Sequence, residues 1–76
     1  MAEKTEAFRR NVREVLALKD MTQGELARRT GLSQAWLSEM LNGKANPSLL
    51  TCERIARALA TPLEGLIASP PAPTAT

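Results

Sequence analysis

The chain has 76 residues, which is room for one small domain with a single modest core and too little for an added catalytic or ligand-binding domain. Its net charge of +2 and pI of about 9.2 permit contact with nucleic acid without requiring it. With no histidine it lacks the commonest general base and metal ligand, and one cysteine excludes an internal disulfide or a cysteine-based zinc site.

Hydrophobic residues make up 43 % of the chain and aromatics only 3 %, so Leu, Ala, Val and Ile must build the core. Helix formers dominate and β-branched runs are absent, which predicts an all-α fold. The start, "MAEKTEAFRR", has no apolar centre and does not read as a secretory signal. No apolar run approaches the ~20 residues that span a bilayer. These features lead to the expectation of a cytoplasmic protein that neither enters a membrane nor needs a cofactor, metal or small-molecule ligand.

The first helix is predicted over about Glu3 to Lys19, with Phe8, Val12, Val15 and Leu16 as one apolar stripe. Arg9, Arg10 and Arg13 fall mostly off that stripe, either as a solvated face or as phosphate contacts. A second helix begins at "TQGE". This is a capping box: Thr22 accepts from the backbone of Glu25, and Glu25 reaches back to Thr22. Gly31 suits the left-handed position that ends this helix. Ser33 then caps a third helix running to about Leu41, and "NGKANPS" is a loop.

A fourth helix starts near Ser48 or Leu49 and buries Cys52, Ile55, Ala56 and Leu59. "TPLE", from Thr61 to Glu64, reads as a second capping box with Pro62 in the first helical position. It opens a short fifth helix carrying Leu63, Leu66 and Ile67. Residues 3–68 form the domain. "SPPAPTAT", residues 69–76, is a Pro/Ala/Thr tail expected to be disordered or extended.

Two short helices joined by a tight glycine turn make a helix-turn-helix. Ala27 supplies a small residue at the helix crossing, and Gly31 supplies positive φ. Leu26, Leu32, Leu37 and Met40 are spaced to pin both helices to the core. That leaves Gln34, Ala35, Ser38 and Glu39 on the outer face of the third helix, with Asn42 just beyond, free to enter a major groove. Gln can pair with an adenine edge, Glu can accept from cytosine, and Ala can touch a thymine methyl. Glu39 has a second reading as an ordinary ion-pair partner.

The stretch "TQGELARRTGLSQAWLSEMLNGKANPSLLTCERIARAL" resembles the Cro/C1-type, lambda-repressor-like helix-turn-helix proteins of phage and bacterial regulators. The resemblance covers about residues 6 to 67. It rests on Gln23, Leu26-Ala27, Gly31, Ser33, Leu37-Ser38, Gly43 and Pro47 in register, followed by "IARAL". It implies a compact bundle of five short helices with the motif at helices 2 and 3. It implies that Gln23 contacts a phosphate and braces Gln34, the leading base reader. Ala35, Ser38 and Glu39 match further groove-facing positions, and Asn42 and Lys44 match the loop that touches backbone phosphates. Leu41 departs from the pattern, because relatives often carry Glu there.

Ser33, Arg10 and Arg13 join the expected backbone contacts. Trp36 either packs at the groove edge or lies partly buried beside the fourth helix or the loop. Cys52 reads as a small core residue. Arg28 and Arg29 suit the end of a helix dipole.

The resulting expectation is a regulator that binds double-stranded DNA, in the form of a small homodimeric repressor at a palindromic operator. Leu63, Leu66 and Ile67 are its expected dimerisation residues, in the nucleoid of a bacterial or phage-infected cell. The alternative is an antitoxin-like interaction module, with a toxin or antagonist protein as partner and autoregulatory DNA binding. An enzyme is not expected: no nucleophile-base pair or phosphate-binding glycine loop is present.

Overall fold

A computed structural model describes residues 2–68, with side chains from residue 5 onwards. The described residues form α1 (Ala2–Leu18), α2 (Gln23–Thr30), α3 (Gln34–Leu41), α4 (Leu49–Ala58) and α5 (Leu63–Ile67). The fold is all-α, as the composition predicts. The expected tail, 69–76, lies outside the described residues.

Each helix contributes to one core. Phe8, Val12 and Leu16 enter from α1, Leu26 and Ala27 from α2, and Leu37, Met40 and Leu41 from α3. Ile55 and Ala56 of α4, with Leu59 at its end, and Leu66 of α5 close it. The i, i+4, i+8 spacing on α1 and the i, i+1, i+4 spacing on α4 put these side chains on one face of each helix. Val15 and Cys52 were expected in the same stripes, but they sit at their edges and are half-buried.

Three helices start on a hydroxyl cap. The side chains of Thr22, Ser33 and Ser48 accept from the backbone N–H three residues on, at 3.1, 2.9 and 3.2 Å. Such a cap contributes about 1 kcal/mol. The reciprocal half of the first capping box does not form. The carboxylate of Glu25 pairs with Arg28 and Arg29 one turn on, which satisfies it better than one backbone N–H. The second capping box fails altogether. Pro62 is the N-cap and not the first helical residue, with no side-chain cap bond, because the Thr61 hydroxyl donates back to the Leu59 carbonyl at 3.0 Å.

The ends of α1 to α4 follow one pattern, a residue in the left-handed region, whereas α5 ends at Ala68 in extended backbone. Gly31 and Gly43 have φ of 77° and 85°, where an L side chain is penalised. Asp20 and Ala60 adopt the same left-handed turn at φ 54° and 52° without glycine. There the N–H of Met21 donates to the Leu16 carbonyl, and that of Thr61 to the Ala56 carbonyl, at 2.9 and 3.0 Å. These are the long closing bonds of a Schellman end.

Candidate nucleic-acid interface

The turn between α2 and α3 is built from four residues. Thr30 is buried, and its hydroxyl donates to the Leu26 carbonyl at 2.8 Å while accepting from the Leu32 N–H at 3.2 Å. Gly31 reverses the backbone, Leu32 packs half-buried against the core, and Ser33 caps α3. Thr30 went unnoticed in the sequence, where a threonine before Gly31 looks like ordinary helix-end polarity. Its role follows from burial, since a buried hydroxyl must find partners.

The inner face of α3 is buried: Leu37 and Met40 have no exposed surface and Leu41 only 3 %. Gln34, Ala35 and Glu39 are therefore turned to solvent, with Ser38 half-buried beside them. This is the row that the sequence singled out. Among the described residues none of these polar side chains has a hydrogen bond or ion pair. Gln34 lies across the start of α2. A Cβ built at Gly24 would stand 3.2 Å from its Oε1. The bare backbone of Gly24 thus makes the space in which the Gln34 amide rests. No hydrogen bond joins Gln34 to Gln23, so the brace implied by the resemblance is absent among the described residues.

Loop 42–48 follows α3, and α1 holds it. Arg9 Nε donates to the Met40 carbonyl at 2.6 Å, and its terminal nitrogen donates to the Ala45 carbonyl at 3.2 Å and to Asn46 Oδ1 at 2.9 Å. Arg13 donates to the Leu41 carbonyl and to Asn42 Oδ1, the latter at 3.2 Å. These two arginines therefore do more than line a solvated face, the first of the two readings their spacing offered. Arg10 is exposed and has no such partner. The departure at Leu41 is also explained: its side chain joins the core, and the hydrogen bonding at that point comes from Arg13.

Other candidates separate cleanly. Trp36 is half-buried and packs against the core, with its indole N–H unpartnered among the described residues. The side chains of Lys44 and Gln23 are likewise without partners among the described residues. Arg28 and Arg29 share Glu25, an exposed arrangement of little energetic consequence. Burial pushes the Cys52 thiol up, with a smaller push from Glu53, so its thiolate is disfavoured. Leu66 has no exposed surface and cannot touch a second copy; Leu63 and Ile67 keep part of theirs. These two line an apolar groove with Thr5, Phe8, Pro47, Leu49 and Cys52. Leu49 and Leu50 nearby are 67 % and 76 % exposed.

A small helical bundle with a capped, glycine-ended turn before an outward polar helix is the architecture of a helix-turn-helix DNA-binding domain. The sequence pattern of the helix-turn-helix family matches residues 12–66, and the chain belongs to that family of transcriptional regulators, in its Cro/C1-type form. It is 42 % identical over 41 residues to the uncharacterized HTH-type transcriptional regulator y4dJ of Sinorhizobium fredii (strain NBRC 101917 / NGR234). That match covers 54 % of this chain and 53 % of the relative, so the chain spans about half the length of that curated protein.

Two solved structures are also similar. The hypothetical transcription factor NHTF from Neisseria superposes with a TM-score of 0.82 at 29 % identity, covering 87 % of this chain and 76 % of that one. The restriction-modification controller protein C.AhdI from Aeromonas hydrophila gives 0.77 at 27 % identity, covering 87 % and 98 %.

Proposed function

We propose that the chain is a sequence-specific duplex-DNA-binding regulator that works as a homodimeric repressor at a palindromic operator. The observation that carries this reading is the outer row of α3. The side chains of Gln34, Ser38 and Glu39 have no partner among the described residues, on a helix whose other face is anchored in the core. Exposed polar groups held on a rigid element suit readout of base edges, with Ala35 supplying an apolar contact for a thymine methyl. Each good pair would contribute roughly 1–3 kcal/mol of discrimination.

Backbone contacts come from around this row. Gln23 and Ser33 flank the turn, and Trp36 offers a free indole N–H. Asn42 and Lys44 follow α3, and Arg10 projects from α1. Such contacts fix register, while the α3 row selects sequence. Dimerisation uses Leu63 and Ile67 with the groove they share with Leu49, since Leu66 is occupied inside its own subunit. A dimer is favoured because one domain reads few base pairs, and two-fold symmetry in the protein matches a palindrome in the DNA. Repression is then steric. The reading assigns no catalytic step and no cofactor.

Exposed Leu49 and Leu50 also suit the alternative reading, an antitoxin-like module whose partner is another protein. The test is selection from a random duplex pool, followed by titration of wild type and Gln34→Ala at two salt concentrations. An enriched palindrome whose binding is weakened and relaxed by Gln34→Ala supports the regulator. No enriched sequence, with only weak binding that vanishes as salt rises, would overturn it and turn the search to a protein partner.

A further inference from the structure

We propose that Arg9 and Arg13 are positioning residues that hold loop 42–46 with its amide donors outward, and that Asn46 is thereby a further contact for DNA backbone phosphates. The proposal rests on the DNA-binding reading above but makes a separate claim. Asn46 did not stand out in the sequence, where it is one more turn residue before Pro47.

The argument starts from the end of α3. The last carbonyls of a helix lack intrahelical partners and carry its partial negative charge. Here that end lies next to the loop that would meet a polyanion. Left bare, it would repel phosphates. Arg9 and Arg13 remove the problem from behind, because their guanidinium groups bond the Met40 and Leu41 carbonyls. Two positive charges therefore stand at the helix end. Glu6 and Glu14 line the same cleft, yet neither pairs with these arginines among the described residues.

The same two side chains orient two amides. An asparagine amide has one acceptor end and one donor end, and the hydrogen-bond network decides which way it points. Arg13 takes Oδ1 of Asn42, and Arg9 takes Oδ1 of Asn46 at 2.9 Å. Arginine only donates, so the oxygen of each amide must face inward. Each Nδ2 group is left with two donors and no partner among the described residues, on a residue that is exposed. Lys44 lies between them in the chain, its ammonium without a partner among the described residues. Arg9 also bonds the Ala45 carbonyl at 3.2 Å, which pins the backbone between Lys44 and Asn46. The result is two oriented neutral donors and one cation on a braced loop, a set suited to phosphate oxygens.

The test uses the full chain and two short duplexes, one carrying the enriched sequence and one of scrambled order. Binding is measured for wild type, Asn46→Ala, Asn46→Asp, Arg9→Gln and Arg9→Gln with Asn46→Ala, at a temperature where circular dichroism reports all of them folded. Asn46→Ala should weaken both duplexes by the same factor, about tenfold, as for one lost hydrogen bond to a charged group. Asn46→Asp keeps the Arg9 bond but loses the donors, and should bind more weakly still. Arg9→Gln should weaken binding at least as much as Asn46→Ala. It should also speed hydrogen exchange of the 42–46 amides in the free protein, and the double variant should bind no more weakly than Arg9→Gln alone.

A residue that only stabilises the fold would lower the melting temperature and leave the affinity of the folded protein unchanged. A direct phosphate contact by Arg9 would leave loop exchange unchanged and lower the salt slope by about one. Either result overturns the positioning role, as do losses that multiply in the double variant. Wild-type affinity in Asn46→Ala overturns the contact while the DNA-binding reading stands. If Arg9→Gln does not fold, Arg13→Gln with Asn42→Ala makes the same cycle. Wild type binding neither duplex overturns both readings.

Discussion

Two polar sets of this molecule look alike in sequence and are opposite in structure. On α1, Arg9, Asn11 and Arg13 are all consumed by internal bonds. Arg9 and Arg13 close the end of α3, and Asn11 Nδ2 donates to the carbonyls of Leu66 and Ala68 at the end of α5, at 2.6 and 3.0 Å. On α3, the side chains of Gln34, Ser38 and Glu39 bond to nothing among the described residues. A polar residue off the apolar stripe is thus not the same as an available one. What separates them is the neighbouring backbone. The residues of α1 face two helix ends with orphan carbonyls, whereas the row on α3 faces solvent.

The comparison can be sharpened by substitution. The largest effect belongs to the buried face of the same α3. Leu37→Ala empties a fully buried site and should lower unfolding free energy by about 3 kcal/mol in a denaturant titration. A loss below 1 kcal/mol would mean that α3 is not anchored as described. Next comes Asn11→Ala. Losing the bonds to α5 should cost roughly 1–2 kcal/mol of stability, with DNA affinity at full folding unchanged. A selective loss of DNA binding would put Asn11 in the other row.

Helix ends without a clamp allow a smaller test. Ala60 ends α4 in the left-handed region with a Cβ, so Ala60→Gly should stabilise by about 0.5–1 kcal/mol, the conformational gain exceeding the entropy that glycine adds. A lower melting temperature would argue against the left-handed turn. The smallest effect on stability should come from Gln34→Ala, within about 0.5 kcal/mol, because this exposed side chain bonds to nothing among the described residues. Gly24→Ala extends this test. Helix propensity should offset the modest crowding of Gln34, leaving stability level, while base preference at the Gln34 position relaxes. Unaltered preference would mean that Gln34 does not need the space above Gly24.

Much of this protein was written locally. Thr22, Ser33 and Ser48 cap their helices because each hydroxyl reaches the backbone N–H three residues on, within a single turn, and Gly31 ends α2 because glycine takes that φ without strain. Periodicity named Leu26, Leu37, Met40, Ile55 and Leu59 as core, and therefore Gln34, Ala35 and Glu39 as outer residues. The sequence by itself thus determined the helices, the motif and the outer face of α3.

Tertiary structure decided every choice between partners distant in the chain. Arg9 reaches residues more than thirty positions away, so no local pattern could tell its clamp from a phosphate contact. Leu66 looks as available for dimerisation as Leu63 and Ile67 in the sequence, and packing of α5 against α1 and α4 buries it. Local rules fix conformation because bonds within a turn do not depend on what lies beyond it. Whether a side chain is spent or free depends on which helix end or core the fold brings beside it.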